Sequence, residues 1–245
     1  MRLKHLLISS GISLFFLLIV GCAKTNIQET YEIANTGIPT PNPVVIYNFA
    51  VNPEDIQQNS SFFAKIQRSI ASDNQTAEEI QLGREVSDAL AGELTQKIAA
   101  LGLNPLRADQ SLRVTPGAIV ITGYFVNIDE GNRLRRNVIG LGMGQSALDS
   151  KVRVLAPSSS GYQELIAFDV HADSGNMPGA AVLGPAGAAA DAGTAAVIAT
   201  NVAVGGVKSY KSASAQQAKQ MADKIAAHLA KYFARQGWIN PGLAQ

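Results

Sequence analysis

Residues 76–102, "TAEEIQLGREVSDALAGELTQKIAALG", constrain the fold more than any other stretch of this 245-residue chain. Thr76 and Glu79 make a T-x-x-E capping box, in which each side chain satisfies an orphan backbone donor at the start of a helix. Ile80, Val86, Leu90, Leu94, Ile98 and Leu101 then recur at helical spacing and draw one continuous apolar stripe. Glu78 and Glu79 sit at the positive end of the helix dipole and Lys97 near the negative end. Gly102 supplies the left-handed stop. A helix striped in this way needs an apolar surface from elsewhere in the chain.

That surface is read from the strand signals. "PVVIYNFAV" (43–51) is β-branched and aromatic, and Leu103 to Ala108 follows the helix as a short strand. "GAIVITGYFVNID" (117–129) is long and mostly apolar. In "SALDSKVRVLA" (146–156), Leu148, Val152 and Val154 point one way and Asp149, Lys151 and Arg153 the other. "QELIAFDVHAD" (163–173) alternates in the same manner, and "PSSSG" between the two is a turn. The three long runs predict an antiparallel meander with one covered face. Residues 52–75 are polar apart from Phe62, Phe63 and Ile66, and are expected to be a surface excursion. A second helix is expected over 214–236, burying Ala218, Met221, Ile225, Leu229 and Tyr232 or Phe233. Gly237 stops it, and Trp238 and Ile239 fold back onto the core. The expected fold is α+β: a mostly antiparallel sheet of about five strands with two amphipathic helices packed on one face, plus a Gly/Ala-rich segment.

The N-terminus, "MRLKHLLISSGISLFFLLIVGCAKT", speaks to location. Arg2 and Lys4 precede a short apolar core, Leu14 to Val20, which has the layout of a secretory signal and is too short for a stable span. Its ending "IVGC" matches the bacterial lipobox, so residues 1–21 are expected to be a lipoprotein signal peptide and Cys22 the lipidated residue. Acyl chains such as palmitate add about 0.8 kcal/mol of membrane affinity per buried methylene, which anchors without a transmembrane helix. Cys22 is the only cysteine. Once lipidated, it leaves no disulfide, thiol nucleophile or thiolate metal site. Lys and Arg number 20 against 19 Asp and Glu, a balance that argues against general nucleic-acid binding. Residues 22–42, polar with Pro39 and Pro41, read as a lipidated cysteine and tether. Residues 43–245 read as a single periplasmic domain with a Gly/Ala-rich insertion at 179–207.

The lipobox, the strand before the capped helix, "GLGMGQSALDSKVRVL" (140–155), the Gly/Ala-rich segment and a closing helix ending in "GWI" (237–239) occur here in a particular order. In that order they resemble a family of bacterial lipoproteins of unassigned function, the domain of unknown function 4410. The resemblance covers most of the mature chain and implies an α+β fold in the cell envelope; it implies no activity. Among bacterial lipoproteins, Asp directly after the cysteine favours retention at the inner membrane. Ala23 at that position implies the outer membrane, facing the periplasm.

Three stretches are candidates for function. In "GNRLRRNVIGLGMG" (131–144), Arg133, Arg135 and Arg136 precede glycines whose amides, with the guanidinium groups, suit an anion or an anionic lipid head group. The alternative is a long hairpin connection with solvated arginines. A dinucleotide site would need the glycine run to open a helix, and here it leads into a strand. Asp169, His171 and Asp173 share one strand face, yet alternate positions spread them over about 13 Å, too far for one cation without a bend. "GAAVLGPAGAAADAGTAAVIATNVAVGGV" (179–207) is too apolar for a solvated linker. Asp191 near its middle costs about 2.5–3.5 kcal/mol in a lipid-exposed span. Gly184, Ala188, Ala192 and Ala196 form an i, i+4 stripe of small residues suited to close packing, either within the monomer or between copies.

These residues predict a non-catalytic, lipid-anchored outer-membrane lipoprotein that acts by binding or assembly. Its expected partners are the membrane, envelope proteins or further copies of itself, with no nucleic acid and no cofactor. The alternative is an oligomeric component of an envelope pore or export complex, with residues 179–207 mediating assembly or membrane insertion.

Overall fold

The stripe of residues 76–102 folds as one helix, α1 (Ala77–Ala100), in the computed structural model of the chain. The structure describes residues 24–55, 77–108, 112, 114–129, 147–173 and 213–244. Thr76 of the expected capping box lies outside them, as do Phe62, Phe63 and Ile66. Val86, Leu90, Leu94 and Ile98 of α1 are fully buried. Gly102 ends the helix at φ +82°, with its amide donating to the Ala99 carbonyl. The second helix, α2 (Ala213–Arg235), buries Ala218, Met221, Ile225, Leu229, Tyr232 and Phe233 completely. Gly237 turns the chain at φ +76°, and Trp238 and Ile239 return to the core.

The strands are β1 (Lys24–Glu32), β2 (Val44–Tyr47), β3 (Pro105–Ala108), β4 (Ile119–Asp129), β5 (Ala147–Ser158) and β6 (Gly161–Asp173). They form one sheet in the order β1-β6-β5-β4-β2-β3. The meander β4-β5-β6 is antiparallel, as the alternating runs predict, and β1 adds to β6 antiparallel. At the other side β2 runs parallel to both β4 and β3. The sheet is therefore mixed and six-stranded, which corrects the expectation of a mostly antiparallel sheet of about five strands. The physical reason is the crossover: β2 is followed by α1 and then β3, and a helical connection returns the chain in the same direction. β2 shows the signature of such a strand, being buried on both faces and apolar at every position.

One face of this sheet carries the main core. Val44 and Ile46 of β2, Ile119 and Ile121 of β4, Val152 and Val154 of β5, and Ile166 and Phe168 of β6 pack there with the buried stripes of both helices. A smaller cluster lies on the opposite face, where Val45, Tyr47, Val120, Tyr124 and Leu155 are buried beside Val114 and Tyr162. The Tyr47 hydroxyl donates to the Leu112 carbonyl at 3.2 Å. Phe49 packs where β4 has no side chain: a Cβ on Gly123 would fall 2.4 Å from the Lys151 carbonyl oxygen and 2.6 Å from the Phe49 ring.

The second correction concerns the tether. Residues 24–32 are an edge strand, in register with β6 from Lys24 opposite Asp173 to Glu32 opposite Ile166. Its polar composition suits a strand at the border of a sheet, where only Ile27 has to reach the core. Beyond it the chain stays fixed. The Ile33 amide donates to the Leu165 carbonyl, and the Trp238 indole donates to the Ile38 carbonyl at 2.8 Å.

Two outcomes follow from this packing. Gly123→Ala should destabilise the domain by about 1–3 kcal/mol, because the methyl group meets backbone that cannot give way; chemical denaturation measures it. A chain starting at Ile33 should melt well below the chain starting at Lys24, whereas removal of a tether would leave the midpoint unchanged.

Candidate functional site

The sheet face turned away from the helices carries a ladder of cross-strand polar pairs. The register sets Asp149 opposite His171, Lys151 opposite Asp169, and Asn127 opposite Asp149. Their side chains meet: His171 Nδ1 lies 2.6 Å from the Asp149 carboxylate, and Lys151 Nζ donates to Asp169 at 2.7 Å. Asn127 Nδ2 donates to Asp149 at 3.3 Å, and Arg153 pairs with Glu164 one step along. The side chains of Lys151 and Asp169 are 36% and 40% exposed, while those of Arg153 and Glu164 are more covered, at 21% and 22%. Exposed pairs of this kind contribute at most about 1 kcal/mol each. The ladder accordingly adds little to the stability of the sheet and sets charges of alternating sign along this face.

The strand that carries Asp169, His171 and Asp173 places all three on this face, as the alternation implies. It does not bring them to one point. Asp169 is taken by Lys151, while His171 lies between Asp149 and, at 3.8 Å, Asp173. Among the described residues no group of three or more His, Cys, Asp or Glu side chains is arranged to hold a metal ion. Cys22, the arginines Arg133, Arg135 and Arg136, and the small residues Gly184, Ala188, Ala192 and Ala196 lie outside the described residues. None of the described helices is long and apolar enough to cross a membrane.

A second polar constellation escapes the sequence altogether, because it joins residues about 200 positions apart. The end of α2 clasps β1 and the chain that follows it. Arg235 forks onto the Glu32 carboxylate through Nε at 3.2 Å and Nη2 at 2.5 Å. Gln236 uses both ends of its amide. Its oxygen accepts from the Thr36 amide at 2.9 Å and the Thr36 hydroxyl at 3.0 Å, and its nitrogen donates to the carbonyls of Ile33 and Ala34. The period-2 alternation of Thr25, Ile27, Glu29 and Tyr31 with polar neighbours is the one local signal for this strand.

Within the clasp, His228 of α2 stands edge-on to Phe168, with ring centroids 4.6 Å apart, and its Nε2 is 3.5 Å from the Glu29 carboxylate. Burial holds its pKa below the ordinary 6.5; the cations Arg235 and Lys231 act in the same direction and Glu32 in the other. Burial and then the neighbouring Glu32 carboxylate push Glu29 above the ordinary 4.5, while Arg235 opposes them. Burial pushes the Tyr232 hydroxyl up to about 12, with Glu32 adding to it. The Glu32 hydrogen bonds raise Arg235 further. Burial at this position thus favours the neutral imidazole of His228 beside the cationic Arg235.

The model of the family described as Domain of unknown function (DUF4410) matches residues 44–191, more than half of the chain, and the chain belongs to that family. No curated protein matches it. Among solved structures it is similar to a PelC dodecamer from Paraburkholderia phytofirmans, at 9% identity and a TM-score of 0.36, over 67% of this chain and 91% of that one. A second PelC dodecamer from the same organism gives 9% identity and a TM-score of 0.33, over 63% of this chain and 82% of that one.

The electrostatics of the clasp set a pH dependence. A histidine whose folded pKa lies below its unfolded value binds its proton more readily in the unfolded chain, so the stability tied to it is complete above about pH 6.5 and is lost as the pH falls through the folded pKa. Glu29 has the opposite sign: its contribution is complete below 4.5 and fades as the pH rises through its higher folded value. Denaturation curves recorded from neutral pH downward should therefore show a loss of stability starting near pH 6.5 that His228→Gln removes.

Proposed function

For this member of the DUF4410 family we propose a lipid-anchored protein of the bacterial outer membrane, facing the periplasm, that acts by binding rather than catalysis. The observation that carries the reading is the N-terminal sequence: a basic start, a short apolar core and "IVGC" ending on the chain's single cysteine, Cys22. Acylation of Cys22 supplies the anchor, and the folded domain supplies the contacts.

Two surfaces support the binding half of the reading. The solvent-facing ladder of Asp149, Lys151, Arg153, Glu164, Asp169 and His171 presents both signs of charge in a fixed register, which favours orientation and selectivity in a protein encounter. Arg133, Arg135 and Arg136 lie close together in the sequence and suit an anionic head group, since juxtamembrane basic residues gain about 1 kcal/mol each near an anionic surface. Residues 179–207, with Gly184, Ala188, Ala192 and Ala196 at helical spacing, serve packing or assembly in this reading.

The intact mass of the purified protein should equal residues 22–245 plus diacylglycerol and one further acyl chain, and Cys22→Ala should abolish the membrane pool on fractionation. A mass matching the full 245 residues would sink the reading. Changing Arg133, Arg135 and Arg136 together to Ser should leave the melting curve intact and weaken binding of a lipid-free chain to phosphatidylglycerol vesicles. Light scattering on that lipid-free chain addresses assembly: a monomer limits residues 179–207 to packing within the domain, and a large defined oligomer that pellets with membranes favours a pore or export component instead.

A further inference from the structure

The register of the sheet fixes where the anchor attaches, and from it we infer that one end of the sheet is a bilayer-facing surface. This end carries Lys24, Asp129, Ala147, Asp173 and the start of α2. The inference rests on acylation of Cys22, proposed above, and adds an orientation to it.

Only Ala23 separates Cys22 from the first residue of β1. Two Cα–Cα steps span at most about 7.6 Å, so Lys24 cannot stand farther than that from the acylated residue. Lys24 is itself paired with Asp173, the last residue of β6. Asp173 is paired with Ala147, the first residue of β5, and Ala147 with Asp129, the last of β4. Gln217, in the first turns of α2, donates to the Ala172 carbonyl at 2.7 Å, which brings the start of that helix to the same end. An acyl anchor with no slack therefore draws this whole edge of the domain to the lipid surface.

The connections are distributed to match. Those that leave and return at this end are long, residues 52–76, 130–146 and 174–212, and together they carry seven Lys and Arg against five Asp and Glu. At the opposite end the connections are short and hydrogen-bonded. They comprise the hairpin from Ser158 to Gly161, the turn from Ala100 to Pro105, and the clasped stretch from Glu32 to Ile38. The 13-residue β6 separates the two ends by roughly 40 Å.

The test uses the full-length acylated protein in vesicles of phosphatidylethanolamine and phosphatidylglycerol containing a nitroxide-labelled lipid. Single thiols are introduced as Asp173→Cys and Ala147→Cys at one end, and as Ser160→Cys and Asn240→Cys at the other, and each carries a fluorophore. Cys22 is blocked by its own thioether. Quenching should be several-fold stronger at positions 173 and 147 than at 160 and 240. Equal quenching at both ends, or stronger quenching at 160 and 240, overturns the orientation. Intact mass on the same samples separates the two readings. An acylated chain without the expected order of quenching fails the orientation alone, and a chain without acyl mass fails the anchor and the orientation with it. Two positions at each end guard against a variant that does not fold, since the remaining one still reports.

Discussion

Everything in this fold depends on covering one sheet face with helices drawn from distant parts of the chain. The residues that need covering, from Val44 and Ile46 on β2 to Ile166 and Phe168 on β6, span four of the six strands. Neither helix spans that width alone, because an α-helix with its side chains is only about 10–12 Å across while strands are spaced about 4.8 Å apart. Two helices side by side match it, and α1 and α2 do pack against each other as well as against the sheet. At their shared border Lys97 meets Asp223 at 2.8 Å, a contact that holds the Lys97 ammonium above its ordinary pKa despite partial burial. The closing helix is thus as necessary to the core as the first one, and the chain cannot complete its core until its last 30 or so residues are in place.

That requirement explains the clasp. α2 brings its C-terminal turn over β1, and Arg235, Gln236 and Trp238 close on Glu32, Ile33, Thr36 and Ile38. An edge strand as polar as β1 gains little from burial, with only Ile27 reaching the core. What holds it is backbone pairing with β6 on one side and a set of side-chain bonds from the far terminus on the other. A charge-assisted fork such as Arg235–Glu32 is geometrically selective as well as favourable, so it specifies which segment fills the edge. The β1 position then fixes everything attached to its first residue.

The sequence makes the local elements legible and leaves their partners obscure. Both helices, their glycine stops and the β4-β5-β6 meander follow from periodicities of 3.6 and 2 that are written in contiguous residues such as Leu90, Leu94 and Ile98, or Val152 and Val154. The direction of β2 does not follow, since "VVIY" fits a buried strand of either sense. The information lies in the helical crossover to β3 and not in the strand itself. β1 reads as a tether because Asn26, Gln28 and Glu29 are poor strand formers by composition. Its backbone partner β6 lies about 140 residues away, and the side-chain fork on Glu32 comes from Arg235. The polar ladder was half visible: alternation puts Asp169 and His171 on one face, but only the register assigns them to Lys151 and Asp149. The basic residues at 133–136 and the small-residue stripe at 184–196 rest on sequence alone.

On the proposed acylation of Cys22, an anchor at one end of the strands and the charged ladder along their length would separate two tasks that otherwise compete. A surface that lies flat on lipid is lost to protein partners, and a cation already committed to a carboxylate offers little to a head group. Here Lys151 and Arg153 are neutralised by Asp169 and Glu164 within the sheet, so the ladder has no net attraction for an anionic leaflet. On the inferred orientation the strands rise away from the bilayer. The ladder then faces sideways, where a neighbouring protein can read its alternating charges.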